Sequence, residues 1–210
     1  MAVLVQAVRT VLLAAGLAAA VGACDGASVT TAPSSTRASS SPGVPPAGSC
    51  TVAPAAEVDA ASVLVAGPVN GVPPSDAGGE KLSMVAVVLG PSCTPAEDAR
   101  VRLWHTDARG LYGPAGTQQC CYYGGTVRTD GKGLFRLETV RPAQYPEAGA
   151  PPAHIHLEVE HPSGRLTTEI VVMEGASTRQ PGTVPMVLRS VADQHGGRSW
   201  YGEATLVLSG

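Results

Sequence analysis

At 210 residues, with 44% hydrophobic and 15% charged content, the chain is long enough for one domain with a sizeable core but hardly for two. A formal net charge of −3, with 14 Lys plus Arg against 17 Asp plus Glu and no basic run, argues against nucleic acid as a partner. The single Phe leaves Val, Leu and Ala to fill most of the interior, which suits a core built from sheets.

Residues 1–24 read as an export signal. Arg9 supplies a positive start, Val11 to Val21 an apolar run, and the small residues Gly22 and Ala23 lead into Cys24. The phrase VGAC resembles a bacterial lipobox, which implies that Cys24 is diacylated and becomes the new N-terminus. The expected location is then outside the cytoplasm, with membrane attachment only through this lipid. Secretion without a lipid and an ordinary transmembrane anchor are the plainer readings, although the apolar run is short for a span. Residues 25–49 shift to Ser, Thr, Pro, Ala and Gly, with too little apolar area to offset the entropy of ordering, so a flexible tether is expected. The folded domain is expected over residues 50–210.

Within that domain, short apolar runs predict strands at Ser62 to Ala66, Leu82 to Leu89, Arg100 to Thr106, Thr126 to Thr129 and Leu134 to Val140. Others are expected at His154 to Glu160, Leu166 to Met173 and Ala204 to Leu208. Turn signals separate them, among them Gly90-Pro91, Asp130-Gly131 and Pro162-Ser163-Gly164. Only Pro185 to Gln194 suits a helical turn or two. This density of strands predicts an all-β antiparallel β-sandwich with little helix.

In ARVRLWHTD, alternation puts Val101, Leu103 and His105 on one face and Arg102 and Trp104 on the other. His105 reads as a structural rather than a ligating histidine. The DARG turn that follows, with Gly110 free to take positive φ, would present Tyr112 at a strand end. TDGKG, Thr129 to Gly133, reads as a hairpin turn in which Asp130 serves turn formation rather than a metal. Of the adjacent Tyr122 and Tyr123, alternation can turn only one inward.

Cys50, Cys93, Cys120 and Cys121 make an even set in an exported chain. Because a ring between adjacent residues is strained, Cys50 and Cys93 are each expected to pair with one of the adjacent two, with unpaired thiols as the other reading.

The stretch YPEAGAPPAHIH, Tyr145 to His156, concentrates chemistry. The two-residue side-chain repeat of a strand puts His154 and His156 on one face, close enough to share one ion, and Pro146, Pro151 and Pro152 keep the approach out of a helix. With Tyr112 upstream, two imidazoles and two phenols suit hard trivalent iron better than zinc.

The phrases LWHTDARGLYG, GTVRTDGKGLFRLETVRPAQYP, PPAHIHLEVE and LTTEIVVMEG resemble, in order and rough spacing, the intradiol ring-cleavage dioxygenases of the catechol and protocatechuate type. The likeness covers about Ala99 to Gly175. It implies that Tyr112, Tyr145, His154 and His156 bind Fe(III). It further implies that a catechol-like substrate is opened by dioxygen to a muconate-type diacid, and that Tyr145 leaves the metal when substrate arrives, taking one of its protons. Pro151 stands where the family carries an arginine, and Glu169 where it carries a glutamine, so Glu169 joins Tyr145 as a candidate catalytic residue. Arg128, Arg141 and Arg165 are the candidate replacements for the missing cation. The competing readings are a catalytically weak binding module for aromatic or cell-envelope polymers and a zinc-dependent hydrolase using the two histidines.

Overall fold

Strand-forming runs dominate wherever the chain is described. The computed structural model describes residues 50, 57–67, 69, 78–114, 120–175, 180–192 and 197–210. The expected export signal with Cys24 and the linker 25–49 lie outside these residues. Among the described residues the regular structure is one short 3-10 turn, Ala60–Ser62, and strands β1 (Val63–Val65), β2 (Lys81–Leu89), β3 (Arg100–His105), β4 (Tyr123–Arg128) and β5 (Leu134–Val140). Strands β6 (His154–His161), β7 (Gly164–Glu174), β8 (Thr183–Ala192) and β9 (Arg198–Val207) complete the set. The fold is all-β.

The strand order is β1-β5-β2-β9-β8-β7-β6-β3-β4. Strand β8 joins its two halves, because Thr183 to Leu188 lie parallel to β7 while Arg189 to Ala192 pair antiparallel with β9. Both halves feed one core, in which Leu82, Met84 and Phe135 from one half meet Leu103, Ile155 and Leu157 from the other. A bridge between Gly67 and Gly124 brings the two ends of the order together into a near-barrel. The run VAVVL in β2 is buried on both sides. Met84, Ala86 and Val88 enter the main core, while Val85, Val87 and Leu89 pack with Leu134 under Val58, Tyr201 and Val207. Such two-sided burial accounts for a nearly unbroken apolar run.

Four expectations are corrected. Of the segment Pro185 to Gln194, where a helical turn was expected, the described part to Ala192 is strand, because Val184, Met186 and Leu188 point inward at a period of two. The sheet is mixed, not purely antiparallel, with parallel pairs β1 with β5, β2 with β9 and β7 with β8. The TDGKG turn is no hairpin, since β4 pairs with β3 while β5 pairs with β1 and β2. It carries the chain from one half of the order to the other, and Asp130 holds it by accepting the backbone N–H groups of Lys132 and Leu134 at 2.8 and 2.9 Å. Finally, Cys50 pairs with Cys93 at a Cα separation of 5.5 Å, and Cys120 pairs with Cys121. The expected cross-pairing fails on distance. Cys93 precedes β3 and Cys120 follows it, and six extended residues put roughly 20 Å between the two ends of that strand.

Burial along β3 alternates as expected, with Val101, Leu103 and His105 inside. His105 Nδ1 donates to the Thr106 carbonyl at 2.7 Å, so Nε2 accepts the Thr139 hydroxyl at 2.8 Å. Both nitrogens of a neutral ring are thus satisfied. Of the two adjacent tyrosines, Tyr122 is the buried one, while Tyr123 stacks on His105 with ring centroids 5.5 Å apart.

Burial pushes the His105 pKa down from 6.5 to about 4, against the opposing effects of the Thr106 hydrogen bond and Asp107. The unfolded chain therefore takes up this proton first as pH falls. The contribution of the neutral ring to stability is complete above about pH 6.5, is lost progressively toward about pH 4 and then levels off, amounting to about 3 kcal/mol. His105→Gln should flatten the pH dependence of urea unfolding across that window. An unchanged slope would show that other groups account for it.

Candidate metal centre

One strand and two loops deliver the four side chains singled out from the sequence. His154 and His156 lie two apart on β6 and so share a face. The register of β6 places His156 beside Trp104 of β3 on one side and Glu169 of β7 on the other. Tyr112 follows β3 and Tyr145 follows β5.

The loops bearing the tyrosines are tied to each other. The Thr106 hydroxyl donates to the Ala143 carbonyl at 2.8 Å, and the Ala143 N–H donates to the Asp107 carbonyl at 3.1 Å. The fully buried Asp107 carboxylate accepts the N–H groups of Arg109 and Leu111 and pairs with the Arg109 guanidinium at 2.9 Å. Gly110 sits at φ +83°, where a Cβ would strike the Gln144 carbonyl one residue before Tyr145. The Tyr122 N–H donates to the Tyr112 carbonyl. Asp107, Thr106 and Ala143 are the positioning groups that sequence reading missed. In the DARG phrase, a short acid before Arg-Gly carried the only signal, and it was read as ordinary turn chemistry.

The four polar tips converge. Tyr112 Oη lies 2.6 Å from Tyr145 Oη and 2.6 Å from His156 Nε2. Tyr145 Oη lies 2.9 Å from His154 Nε2 and 3.5 Å from His156 Nε2, and the two Nε2 atoms are 3.2 Å apart. On the outer sides of the rings, His154 Nδ1 donates to the Pro152 carbonyl at 2.8 Å, and His156 Nδ1 faces Glu169 Oε1 at 3.4 Å. Both partners only accept, so each ring carries its proton on Nδ1 and turns a lone pair inward.

Five short contacts among four atoms therefore share only the two phenolic protons. At most two are hydrogen bonds, and the others set lone pair against lone pair. A cation among the four tips converts that repulsion into coordination. Two phenol oxygens with two imidazole nitrogens form a hard donor set that fits iron(III).

Without such a charge, burial, the hydrogen bond to Tyr145 and the nearby Glu169 raise the Tyr112 phenol far above its ordinary range. Burial first, then His154, lowers the His156 pKa, with Glu169 opposing. The neutral imidazole that results is the form able to bind a metal.

Glu169 belongs to the same cluster. It offers an oxygen within 4.8 Å of ligand atoms of His154 and His156, but it approaches His156 from the side of Nδ1, away from the phenols. Pro151 is exposed, and its neighbour Pro152 supplies the carbonyl that orients His154. None of the three arginines considered as a replacement cation is brought to the centre. Arg128 pairs with Asp98 at 2.9 Å. Arg141 lies between Glu80 and Glu174 and over the Trp200 ring. Arg165 lies opposite Glu160, four residues and roughly 13 Å along β7 from Glu169.

A profile of the dioxygenase family matches residues 68–178, more than half of the chain. Catechol 1,2-dioxygenase of Acinetobacter baylyi is 32% identical over 117 residues, covering 47% of this chain and 38% of that protein. The solved catechol 1,2-dioxygenase of Acinetobacter sp. ADP1 superposes with a TM-score of 0.53 at 25% identity, over 66% of this chain and 55% of that one. The dioxygenase domain of a dioxygenase and carbohydrate-binding fusion from Streptomyces sp. SirexAA-E gives 0.51 at 25% identity, over 68% and 88%. The match thus spans well under half the length of the curated relative. With the profile covering most of β2 to β7 and relatives of one reaction type on both comparisons, the chain belongs to the intradiol dioxygenase family.

Proposed function

We propose that this protein is an iron(III)-dependent intradiol dioxygenase that opens catechol-type aromatics with dioxygen to muconate-type diacids. The observation that carries the reading is the convergence of two phenols and two inward-facing imidazole lone pairs with too few protons to join them. Its family membership supports the same chemistry.

Tyr112, Tyr145, His154 and His156 would hold the metal. Bound iron(III) supplies a Lewis acid and a template for a catecholate and dioxygen. The remaining roles fall to the chain itself. Tyr145 Oη, on a stretch whose neighbours Gln144, Pro146 and Glu147 are exposed, would take up one catechol proton as substrate enters. His154 is fixed by the Pro152 carbonyl and 5% exposed, so it keeps its place. Glu169 favours the Nδ1 tautomer of His156 and raises the electron density at Nε2. On the Nδ1 side of His156, a hollow of about 420 Å³ is lined by Trp104, His156, Glu169 and Thr183.

The grouping of His154, His156 and Glu169 supports a second reading, a zinc hydrolase. It leaves the two phenol oxygens without a role. Export is part of the proposal, supported by the Cys24 phrase and by two disulfides, which persist in oxidising compartments.

Protein loaded with ferric iron should show a visible phenolate-to-iron charge-transfer band, which a strong chelator abolishes along with oxygen uptake on catechol. Tyr145→Phe should shift or bleach the band and reduce turnover at least a hundredfold, on the scale of losing a general base. A colourless protein that retains zinc would sink the iron reading in favour of the hydrolase. A coloured protein that consumes no oxygen with any catechol would favour a binding module.

Glu169→Ala should weaken iron retention by roughly ten- to a hundredfold in competition with a chelator, while Glu169→Gln should lose less, because its amide oxygen keeps an acceptor facing Nδ1. Equal loss in both variants would show that the charge, not the hydrogen-bond partner, is what His156 needs.

Expressed in a bacterium that processes lipoproteins, the full chain should partition with membranes, and Cys24→Ser should release it. A soluble wild-type chain would remove the lipid anchor from the proposal.

A further inference from the structure

The two histidines of the centre are held in different ways. His154 is 5% exposed, and its Nδ1 donates to the Pro152 carbonyl at 2.8 Å. His156 is more open to solvent, and its Nδ1 faces Glu169 across a longer 3.4 Å. Rotation about the bond joining an imidazole to its Cβ is soft, with broad minima. A swing of the His156 ring would carry Nε2 away from Tyr112 Oη, so the ring plane calls for a restraint beyond Glu169.

Strand β3 supplies it. Register places Trp104 directly opposite His156, and the two rings stack with centroids 5.1 Å apart and planes 11° from parallel. One cross-strand row away, Arg102 pairs with Glu158 at 3.0 Å. The Arg102 guanidinium also lies over the Trp104 ring, 5.0 Å from its centroid. Arg102 and Trp104 share one face of β3, as His156 and Glu158 share one face of β6, so the four side chains close a square. Each corner restrains the next. On the β4 side the partner of Trp104 is Gly124, where a Cβ would come within 3.2 Å of the Trp104 Cβ and 2.8 Å of the Leu103 carbonyl oxygen. Glycine there leaves room at the root of the tryptophan.

Core packing does not account for Trp104. It is half-buried on the outer face of β3 and takes no part in either buried apolar cluster among the described residues, whereas Trp200 packs in the main one. Its chain neighbours Leu103 and His105 fill the inward face instead. From these contacts we infer that Trp104 is a positioning residue for the metal centre. Its ring sets the plane of His156 and so aims Nε2 at the place where the phenol oxygens meet, while Arg102 and Glu158 hold the tryptophan in turn. This rests on the iron-binding reading above and adds a residue that serves it from behind a ligand.

In metal-free protein, the His156 ring protons, assigned through His156→Gln, should resonate upfield under the Trp104 ring current. They should move downfield in Trp104→Leu, while those of His161 at the far end of β6 stay in place. In iron-loaded protein, retention of ferric iron against a chelator should fall about tenfold in Trp104→Leu but less than about threefold in Trp104→Phe, which keeps a flat ring. The phenolate-to-iron band should move in the leucine variant and return in the phenylalanine one. Arg102→Met, at an exposed position, removes the guanidinium but keeps an apolar stem, and it should weaken retention about two- to threefold. Wild-type retention and an unmoved band in a folded Trp104→Leu, or in Arg102→Met where the leucine variant does not fold, overturn the inference and leave the iron centre standing. Equal losses in Trp104→Leu and Trp104→Phe overturn it too, since the ring plane would then not matter. A wild-type chain that retains no ferric iron overturns both this inference and the iron reading.

Discussion

Four polar atoms crowd into one place with two protons among them, and the surrounding fold gives them nowhere else to go. Contacts that set one lone pair against another are unfavourable, because an acceptor without a donor loses the hydrogen bond it had with water. A positive charge among the donors would turn those lone-pair contacts into coordination. Two of the atoms are phenol oxygens, and burial drives the Tyr112 phenol above its ordinary range.

Keeping the donors together is the work of ordinary backbone chemistry. Strand β6 sets the spacing of His154 and His156 through its two-residue repeat, and hydrogen bonds from Thr106 and Ala143 clamp the loops of Tyr112 and Tyr145. Gly110 permits the contact between those loops because it has no side chain to place against Gln144. The rings themselves are oriented from behind, by the Pro152 carbonyl and the Glu169 carboxylate. Strand β6 itself is anchored by Ile155 and Leu157 in the core, while the other supports come from the loops that flank it.

The departures from the family pattern alter the electrostatics of the mouth more than the centre. Proline at 151 and glutamate at 169 leave the approach with a negative bias, and the nearby arginines Arg102 and Arg141 are both engaged with carboxylates. An anionic group approaching this side would meet a charge of its own sign. The Trp104 ring packs against His156, and the Arg102 guanidinium lies over the same ring.

Local pattern was enough to determine the all-β class, most strand positions, the inward face of β3, the structural role of His105 and the turn held by Asp130. Each of these follows from periodicity or from hydrogen bonds within a few residues, and such information lies along the chain. The four motif residues were also legible, Tyr112 and Tyr145 through their phrases and His154 with His156 through their spacing. Tertiary structure alone decided which strands are neighbours, that β8 is a strand spanning both halves of the order, and that the cysteines pair 50 with 93 and 120 with 121. It also decided that Glu169 stands behind His156 rather than among the phenols, and that Asp107 and Ala143 lock the two tyrosine loops together. These outcomes depend on distances between residues far apart in sequence, and a one-dimensional pattern contains no such distances until the core has brought the strands into register.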